Sequence, residues 1–420
     1  MRGIGINSLK KMSNKRILIK NTFWLSAIEF FSKILMFVVT VGLVRYWGAS
    51  EFGIFNLSFA YVSLFMIFGD LGVSTIVLRE VAKHKELSEK YLGNVIGLKL
   101  LLAILSGILF VISFLFINKP VAIQLLIASL LYCLIQGFQS IFILIFQAWE
   151  RMEMVFFNRM VFYVGILITA LLIISFHGSA INLVFGYMVS TLLAIILGIW
   201  QTSLLKIKIK IAFDFSFWKD LIKESLPLFG MAAAMVIYAN NDTLLIGRYL
   251  GNDQVGFYQT AFKILFAFQS INVINYAVFP RLTVLFHENK EDTAKKLIKI
   301  IIGLSFLGLI PLALLITWQR ELIMKLIYGQ SFVVSAGVMS LLIWSGVINY
   351  FRIFVGNLLV IKKKQNMVFV IVLVGTLINL IINYFLIPKF GFVQGGWSLI
   401  ISEMVILMMM ITALKKILTH

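Results

Sequence analysis

The sequence predicts an all-α membrane protein in which about twelve transmembrane helices form two parallel-repeat six-helix lobes around a central cavity. Three observations support this prediction: the composition, the lengths of the apolar runs and the distribution of the basic residues. Hydrophobic residues make up 61% of the 420-residue chain and charged residues 13%, against roughly 45–50% and about 25% in soluble domains. This composition excludes a water-soluble globular enzyme.

Apolar runs of about 20 residues, the length that crosses a bilayer, follow one another along the chain with short polar connectors between them. The predicted spans are 21–44, 52–78, 92–117, 121–148, 155–176, 181–204, 227–247, 255–280, 298–317, 332–361, 367–387 and 393–414. The first span has no small-residue cleavage site, so we interpret it as a membrane anchor rather than a signal peptide. Pro227 is predicted to open the seventh span, because a proline in the first helical turn loses no hydrogen bond.

The basic residues lie mainly in alternate connectors. Lysine and arginine number 27 on the side of the N-terminus and six on the other side. The positive-inside rule therefore places both termini in the cytoplasm and supports an even number of spans. Because the net charge of +19 lies in these connectors, the expected partner is the lipid bilayer, and nucleic acid is not expected.

A weak internal repeat divides the chain. The motif Arg45-Tyr46-Trp47-Gly48 is echoed 203 residues later by Arg248-Tyr249-Leu250-Gly251, and Gly53 is echoed by Gly256. Six spans per half is an even number, so the two halves enter the membrane in the same sense. The predicted organisation is an N-terminal lobe over 1–204, a cytoplasmic amphipathic linker over 205–226 and a C-terminal lobe over 227–420.

Ionisable residues also fall within the apolar spans, where a charge facing lipid costs about 2.5–3.5 kcal/mol or more. They must therefore face one another or water. The eight residues are Glu29, Lys33, Asp70, Lys99, Asp242, Lys263, Arg352 and Glu403.

Two interpretations of these charges are open. In the first, Glu29 and Lys33 form an ion pair one helical turn apart, and Lys99 and Arg352 are paired or reach the interface. In the second, Lys33, Lys263 and Arg352 make an inward-facing cavity cationic, and this cavity attracts a polyanionic headgroup such as a diphosphate. The polar run Asn240-Asn241-Asp242-Thr243 is predicted to line the same cavity.

Several kinds of chemistry have no motif in the sequence. Cys133 is the single cysteine, and four scattered histidines form no metal-ligand cluster, so we expect neither a disulfide nor a metal centre. Gly251 and Gly256 have the spacing of a phosphate loop, but Phe257 and Tyr258 replace its Lys and Ser/Thr. We therefore predict that the chain is not an enzyme and uses no cofactor, although coupling to protons or sodium ions is open.

Four motifs in order along these spans resemble the polysaccharide flippase family of the multidrug/oligosaccharidyl-lipid/polysaccharide exporter superfamily. They are Arg45-Tyr46-x-Gly48-x-x-Glu51-Phe52-Gly53, Gly69-Asp70-Leu71-Gly72 leading to Arg79-Glu80, Ser225-Leu226-Pro227, and Asp242 followed by Gly251-x-x-x-x-Gly256-x-Tyr258. The resemblance covers essentially the whole chain.

This resemblance implies two lobes that move a polyprenyl-diphosphate-linked oligosaccharide from the cytoplasmic to the outer leaflet of a bacterial inner membrane, with a polysaccharide polymerase complex as a further partner. It implies that Lys33, Lys263 and Arg352 contact the diphosphate, with Asn240 and Asn241 on the substrate side. Three acids, Asp70, Asp242 and Glu29, are assigned to the cavity or to ion coupling. Capsule, O-antigen, lipopolysaccharide, exopolysaccharide and teichoic-type polymers are all open as the glycan.

Two alternatives belong to other functional classes. A cation-coupled multidrug or small-molecule exporter on the same fold would prefer an acidic and aromatic cavity. A membrane-embedded glycan polymerase is disfavoured because the connectors are too short to hold a catalytic domain.

Overall fold

The computed structural model describes residues 3–114 and 122–418, with side chains over 20–114 and 122–417. These ranges hold α-helices, short 3₁₀ turns and no β-strand. The α-helices are α1 Gly3–Met66, α2 Val73–Lys83, α3 Ser88–Ser113, α4 Ile123–Ala148, α5 Met152–Phe176, α6 Ala180–Leu204, α7 Phe215–Leu250, α8 Asn252–Phe268, α9 Val273–His287, α10 Glu291–Trp318, α11 Arg320–Tyr328, α12 Ala336–Ile361, α13 Gln365–Phe390 and α14 Gln394–Leu418. The predicted end of the third span at residue 117 and the predicted opening of the fourth span at residue 121 lie outside the described residues.

Eleven of the described helical stretches are long and apolar enough to cross a membrane. The first, Lys20–Met66, has 47 residues, and at about 1.5 Å per residue it is roughly twice as long as a bilayer core is thick. It breaks at Gly48, whose φ of 73° and ψ of −170° are not helical. Divided there, it gives the first predicted span and most of the second, so the prediction of an all-α protein with about twelve spans is confirmed.

The second predicted span is itself interrupted. Between α1 and α2 the chain turns over residues 67–72, and Gly72 has a φ of 75°, a value that favours glycine. A Cβ at Gly72 would also meet the backbone of Ser225 and Phe229 at 3.0 Å. The turn therefore packs directly on the first part of α7.

The described chain forms two compact units. Unit 1 comprises the described parts of Met1–Tyr46 and Tyr61–Ala233, and unit 2 those of Trp47–Ala60 and Ala234–His420. The segment 47–60 thus groups with the C-terminal half, and 205–233 groups with the N-terminal half. The lobe boundaries drawn from the sequence stay a prediction.

In unit 1, α4 packs against α2, α3, α5 and α6. A buried apolar cluster at one end joins α2, α3 and α4 to the start of α7, with Val77, Leu92, Ile145 and Trp218 among its members. Burial of such side chains contributes roughly 1.5–3 kcal/mol each. This cluster fixes the beginning of α7 to the N-terminal helices.

The linker between α6 and α7 is partly non-helical. Residues 207–214 form no helix, and the Ala212 amide donates to the Gly93 carbonyl at 3.2 Å. The Trp218 indole Nε1 donates to the Asn94 carbonyl at 2.9 Å. A Cβ at Gly93 would collide with the Lys210 carbonyl, so glycine is what allows the linker to lie directly on α3. The amphipathic helix of this region begins only at Phe215, and Pro227 lies inside α7 rather than opening it.

In unit 2, α12 is the central helix and contacts α8, α9, α10, α11, α13 and α14. Its long apolar residues are buried on several sides, including Val338, Met339, Leu342 and Ile343. A helix that is apolar all round is the kind that other helices surround. The polar side chains of α12 that face its neighbours are therefore enclosed within the unit.

Candidate functional site

Six of the eight ionisable residues predicted within the spans form three ion pairs. Glu29 pairs with Lys33, Asp70 with Lys99, and Arg352 with Glu403. Pairing offsets part of the cost of placing a charge in a low-dielectric region. Asp242 and Lys263 are the two exceptions within the described side chains.

The Asp70–Lys99 pair lies in unit 1. Lys99 Nζ is 2.9 Å from Asp70 Oδ1 and also donates to the Gly137 carbonyl at 3.2 Å and to Ser140 Oγ at 3.1 Å. Ser74 donates a further hydrogen bond to Asp70. The lysine side chain is only 5% exposed whereas the aspartate is 37% exposed, so the pair is buried on the lysine side and open on the carboxylate side.

The open side of this pair faces a cavity within unit 1. Its volume is about 390 Å³, and its walls come from the turn before α2 and from α3, α4 and α5. Polar lining groups include Gln136, Ser140 and Tyr163, and the charged ones are Asp70, Lys99 and Arg159. A concave space of this size, with several polar and charged groups on its walls, can hold a small polar ligand or a part of a larger one.

In unit 2, Asp242 sits in a buried network of neutral donors. It accepts a hydrogen bond from the Tyr258 hydroxyl at 2.9 Å and another from the Asn383 side-chain amide. Asn241 donates to Asn379 Oδ1 at 2.9 Å and accepts from Asn383 at 2.6 Å. The network joins α7, α8 and α13, and its one carboxylate has no cationic partner among the described side chains.

The remaining members of the Asn240–Thr243 run are also hydrogen-bonded. Thr243 Oγ1 accepts from Gln259 at 2.6 Å, and Asn240 donates to the Val236 carbonyl at 2.9 Å. Asn241, Asp242 and Thr243 are buried, and Asn240 is partly buried. Contact of Asn240 and Asn241 with a substrate stays a prediction.

A second buried cluster in unit 2 surrounds Glu403. Its carboxylate accepts from the Tyr238 hydroxyl at 2.9 Å, from the Asn349 amide at 3.1 Å and from the Arg352 guanidinium. The Arg352 side chain is 17% exposed and that of Glu403 4% exposed. The cluster holds α7, α12 and α14 together and leaves Arg352 in a charge-balanced environment.

The lysines predicted to bind the diphosphate lie in different units. Lys33 belongs to unit 1, is 38% exposed and pairs with Glu29 at 3.1 Å one helical turn away. Lys263 belongs to unit 2, is partly buried, and has no hydrogen bond or ion pair among the described side chains. Of the three predicted cations, Lys263 alone therefore lacks a carboxylate partner, and the diphosphate role of all three stays a prediction.

Several residues of these clusters were not identified from the sequence. Arg159 was not among the eight ionisable residues named from the sequence, although it lies inside the predicted span 155–176, and it lines the cavity in unit 1. Asn379 and Asn383 lie one turn apart in the eleventh predicted span, and that spacing in an apolar run was the available signal. Among the described residues, no group of three His, Cys, Asp or Glu side chains is arranged to hold a metal ion.

Comparison with protein families identifies the chain. The model of the family described as "Polysaccharide biosynthesis protein" matches residues 18–286, which is more than half of the sequence. The chain belongs to this family. A second model, that of the MatE family, matches residues 227–385, and the family resemblance drawn from the four sequence motifs is confirmed.

Among its relatives is a protein of Haloferax volcanii named "Probable low-salt glycan biosynthesis flippase Agl15". The two are 23% identical over 380 residues, covering 88% of this chain and 77% of the relative. This polysaccharide biosynthesis protein also shares its fold with the lipid II flippase MurJ, with a TM-score of 0.77, 16% identity and coverage of 93% of this chain and 87% of MurJ.

A multidrug resistance MATE family transporter of the MOP superfamily has the same fold, with a TM-score of 0.67 and 13% identity over 91% of this chain and 96% of the transporter. The predicted two-lobe transporter fold is thus confirmed for this multi-pass membrane protein.

Proposed function

We propose that this polysaccharide biosynthesis protein flips a polyprenyl-diphosphate-linked oligosaccharide from the cytoplasmic to the outer leaflet for surface polysaccharide assembly. The observation that carries the proposal is the family match over 18–286 on a chain made of membrane-crossing helices. The relative from Haloferax volcanii is named a flippase. A chain of this construction offers a path through the membrane rather than a separate catalytic domain.

Lys33, Lys263 and Arg352 are the residues that we assign to the diphosphate. Lys263 has the strongest support, because its ammonium group has no counter-ion among the described side chains and would gain one from a phosphate oxygen. Lys33 and Arg352 each hold a carboxylate, so phosphate would have to compete with Glu29 and Glu403. Transport by alternating access then requires that the substrate reach these cations from one leaflet at a time.

We assign coupling to the acids Asp70, Asp242 and Glu29. Asp242 has the strongest support, since a carboxylate held only by neutral donors gains stability when it takes up a proton or a cation. Asp70 already has Lys99 as its counter-ion, and Glu29 has Lys33. The coupling ion is then either a proton or sodium.

The site of action that we infer is the bacterial inner membrane, with both termini in the cytoplasm. The 27 to 6 distribution of lysine and arginine between the two sets of connectors supports this orientation. A flippase so oriented receives its substrate where lipid-linked repeat units are made and delivers it to the outer surface. A polysaccharide polymerase complex at that surface is the partner we infer.

Depletion of the protein in its native cell tests the proposal. The lipid-linked repeat unit should accumulate on the cytoplasmic face, and one surface glycan should disappear. Clean deletion with an unchanged set of surface glycans would refute the flippase.

A multidrug exporter is the second candidate, because the MatE model matches residues 227–385. Resistance profiling separates the two functions. Deletion of an exporter makes the cell more sensitive to cationic drugs while the surface glycan stays intact, and deletion of a flippase has the opposite pattern.

The assignment of Lys263 has its own test. We expect Lys263→Ala to impair transport more than Lys99→Ala when both are compared at equal amounts of folded protein, because Lys99 is occupied by Asp70. Wild-type transport by both variants would remove the diphosphate role from Lys263.

A further inference from the structure

The cavity in unit 1 holds one cation more than its carboxylates neutralise. Its charged lining residues are Asp70, Lys99 and Arg159, two cations against one carboxylate. Asp70 and Lys99 neutralise each other at 2.9 Å. Arg159 is partly buried and makes no hydrogen bond or ion pair with the described side chains. Its guanidinium is therefore the group in this cavity that still lacks a counter-ion.

Three other lining residues, Gln136, Phe162 and Tyr163, have side chains of the kinds that bind sugars. Gln136 is exposed and makes no described hydrogen bond, so its amide can both donate to and accept from a hydroxyl group. Phe162 and Tyr163 add two aromatic rings, whose centroids are 5.3 Å apart. An aromatic face packs well against the C–H face of a pyranose, and a phenol can donate to a ring hydroxyl.

We propose that this cavity binds a carboxylate-bearing sugar of the oligosaccharide, with the carboxylate on Arg159. The proposal rests on the proposed flippase function and assigns a substrate class to it. A guanidinium presents two parallel N–H donors that match the two oxygens of a carboxylate. Gln136 and Tyr163 then receive the hydroxyl groups of the same sugar.

Charge and size favour a carboxylate over the diphosphate at this place. A carboxylate brings one negative charge, which the single unpaired guanidinium neutralises. A diphosphate brings at least two negative charges, so part of its charge would stay unneutralised beside Asp70. The volume of about 390 Å³ is at the small end of the roughly 300–1,000 Å³ usual for ligand sites. It suits one or two sugar rings rather than a whole lipid-linked unit.

The Asp70–Lys99 pair has a positioning role in this site. Lys99 also donates to Gly137 and Ser140 of α4, so the pair fixes α3 and the turn before α2 to the wall that carries Gln136. Because Lys99 is already saturated by these partners, it does not compete with Arg159 for the ligand. The carboxylate of Asp70 instead repels an anion from the turn before α2, which leaves Arg159 of α5 as the partner of the anion.

Binding of simple sugars to the purified full chain in detergent micelles tests the assignment. The probes are glucuronate, its neutral analogue glucose, and inorganic pyrophosphate, compared by saturation-transfer NMR titration. We expect glucuronate to bind about 10-fold more tightly than glucose, the size of effect that one charge-assisted hydrogen-bonded pair gives. Arg159→Gln should remove this preference, and Arg159→Lys should keep part of it.

Arg151→Gln is the matched control, because Arg151 lies in the connector just before α5, pairs with Glu153 at 3.0 Å and does not line the cavity. Gln136→Leu should weaken both sugars while the preference for glucuronate remains, which keeps the test valid if Arg159→Gln does not fold. Equal binding of glucuronate and glucose to the wild type overturns the assignment. Pyrophosphate that displaces glucuronate at lower concentration overturns it as well.

Failure of this inference is distinguishable from failure of the flippase. If depletion traps the lipid-linked unit but the glycan that disappears contains no carboxylate sugar, the sugar site is wrong and the flippase stands. If glucuronate is preferred but depletion traps no lipid-linked unit, the flippase is wrong and the binding site stands.

Discussion

Gly53 and Gly256 pack backbone against backbone, although 203 residues separate them in the chain. A Cβ at Gly53 would collide with the Asn252 carbonyl, and a Cβ at Gly256 with the Ala49 carbonyl. Ala49 and Asn252 are also 203 residues apart, so equivalent positions of the internal repeat face one another. This reciprocal contact between two short helical segments supports the duplication inferred from the sequence motifs.

We expect Gly53→Ala and Gly256→Ala each to destabilise the protein by about 1–3 kcal/mol, because an added methyl group must push two helix backbones apart. The measurement is the thermal unfolding midpoint in detergent. Gly303→Ala is the control, since a Cβ at Gly303 meets nothing within 4 Å. An unfolding temperature for Gly53→Ala as high as that of the control would contradict the close approach.

Glu403 and Arg352 should depend on each other for stability. Glu403→Ala leaves a partly buried guanidinium unpaired, and Arg352→Ala leaves a buried carboxylate unpaired, so each change should cost about 3–5 kcal/mol. The double variant should cost clearly less than the sum of the two, because neither charge remains. Strict additivity in a double-mutant cycle of unfolding free energies is the result that excludes direct coupling.

Trp218 should be the main attachment of residues 205–226 to α3 within unit 1. It is buried, and its indole donates to the Asn94 carbonyl at 2.9 Å, so Trp218→Ala should cost about 3–5 kcal/mol. Faster hydrogen exchange over residues 207–226 would report release of the linker. Ile211→Ala is the comparison, because Ile211 is 55% exposed and its loss should change neither quantity.

The ion pairs of Arg79 connect α2 to the start of α7, and we expect acid to weaken their contribution to stability. This guanidinium donates to Glu80 at 2.7 Å and also to Glu224. The hydrogen bond from Arg79 lowers the pKa of Glu80 below its ordinary value of 4.5. A lowered pKa stabilises the fold above that ordinary value, and the contribution is lost as the pH falls through the lowered pKa.

The difference in unfolding temperature between wild type and Arg79→Gln should therefore be present at pH 7 and shrink below about pH 4. High salt should reduce it too, because these side chains are exposed. Lys219→Gln removes an exposed charge from α7 without removing an ion pair described in the structure, and should give no such pH dependence. A difference that is the same at both pH values would exclude the carboxylates as its cause.

The class of fold followed from the sequence because apolar length and charge asymmetry are properties of single segments. The break at Gly48 and the turn at Gly72 were harder to foresee, since a glycine inside an apolar run is compatible with a continuous membrane helix. The non-helical course of residues 207–214 depends on contacts with Gly93 and Asn94, which lie more than 100 residues earlier. Such a tertiary contact leaves no periodic signal in the local sequence.

The sites were predictable in part. Any charge within an apolar run is a candidate, and Asp70, Asp242 and Glu403 were found in this way. Their partners depend on the arrangement of helices in space. The sequence therefore did not show whether Lys99 pairs with a buried acid such as Asp70 or reaches the membrane interface. Arg159 was overlooked because it lies only two turns inside α5, where sequence alone does not separate a helix end from a cavity wall.

The cavity of unit 1 also contains the single cysteine of the chain, Cys133. The unaltered protein therefore offers a thiol-directed fluorophore or spin label one position only, beside the groups described above. The speed at which such a reagent reacts reports how open that position is, and an occupant of the cavity will slow the reaction. Ligand occupancy can then be followed in the purified protein without removing or introducing a residue.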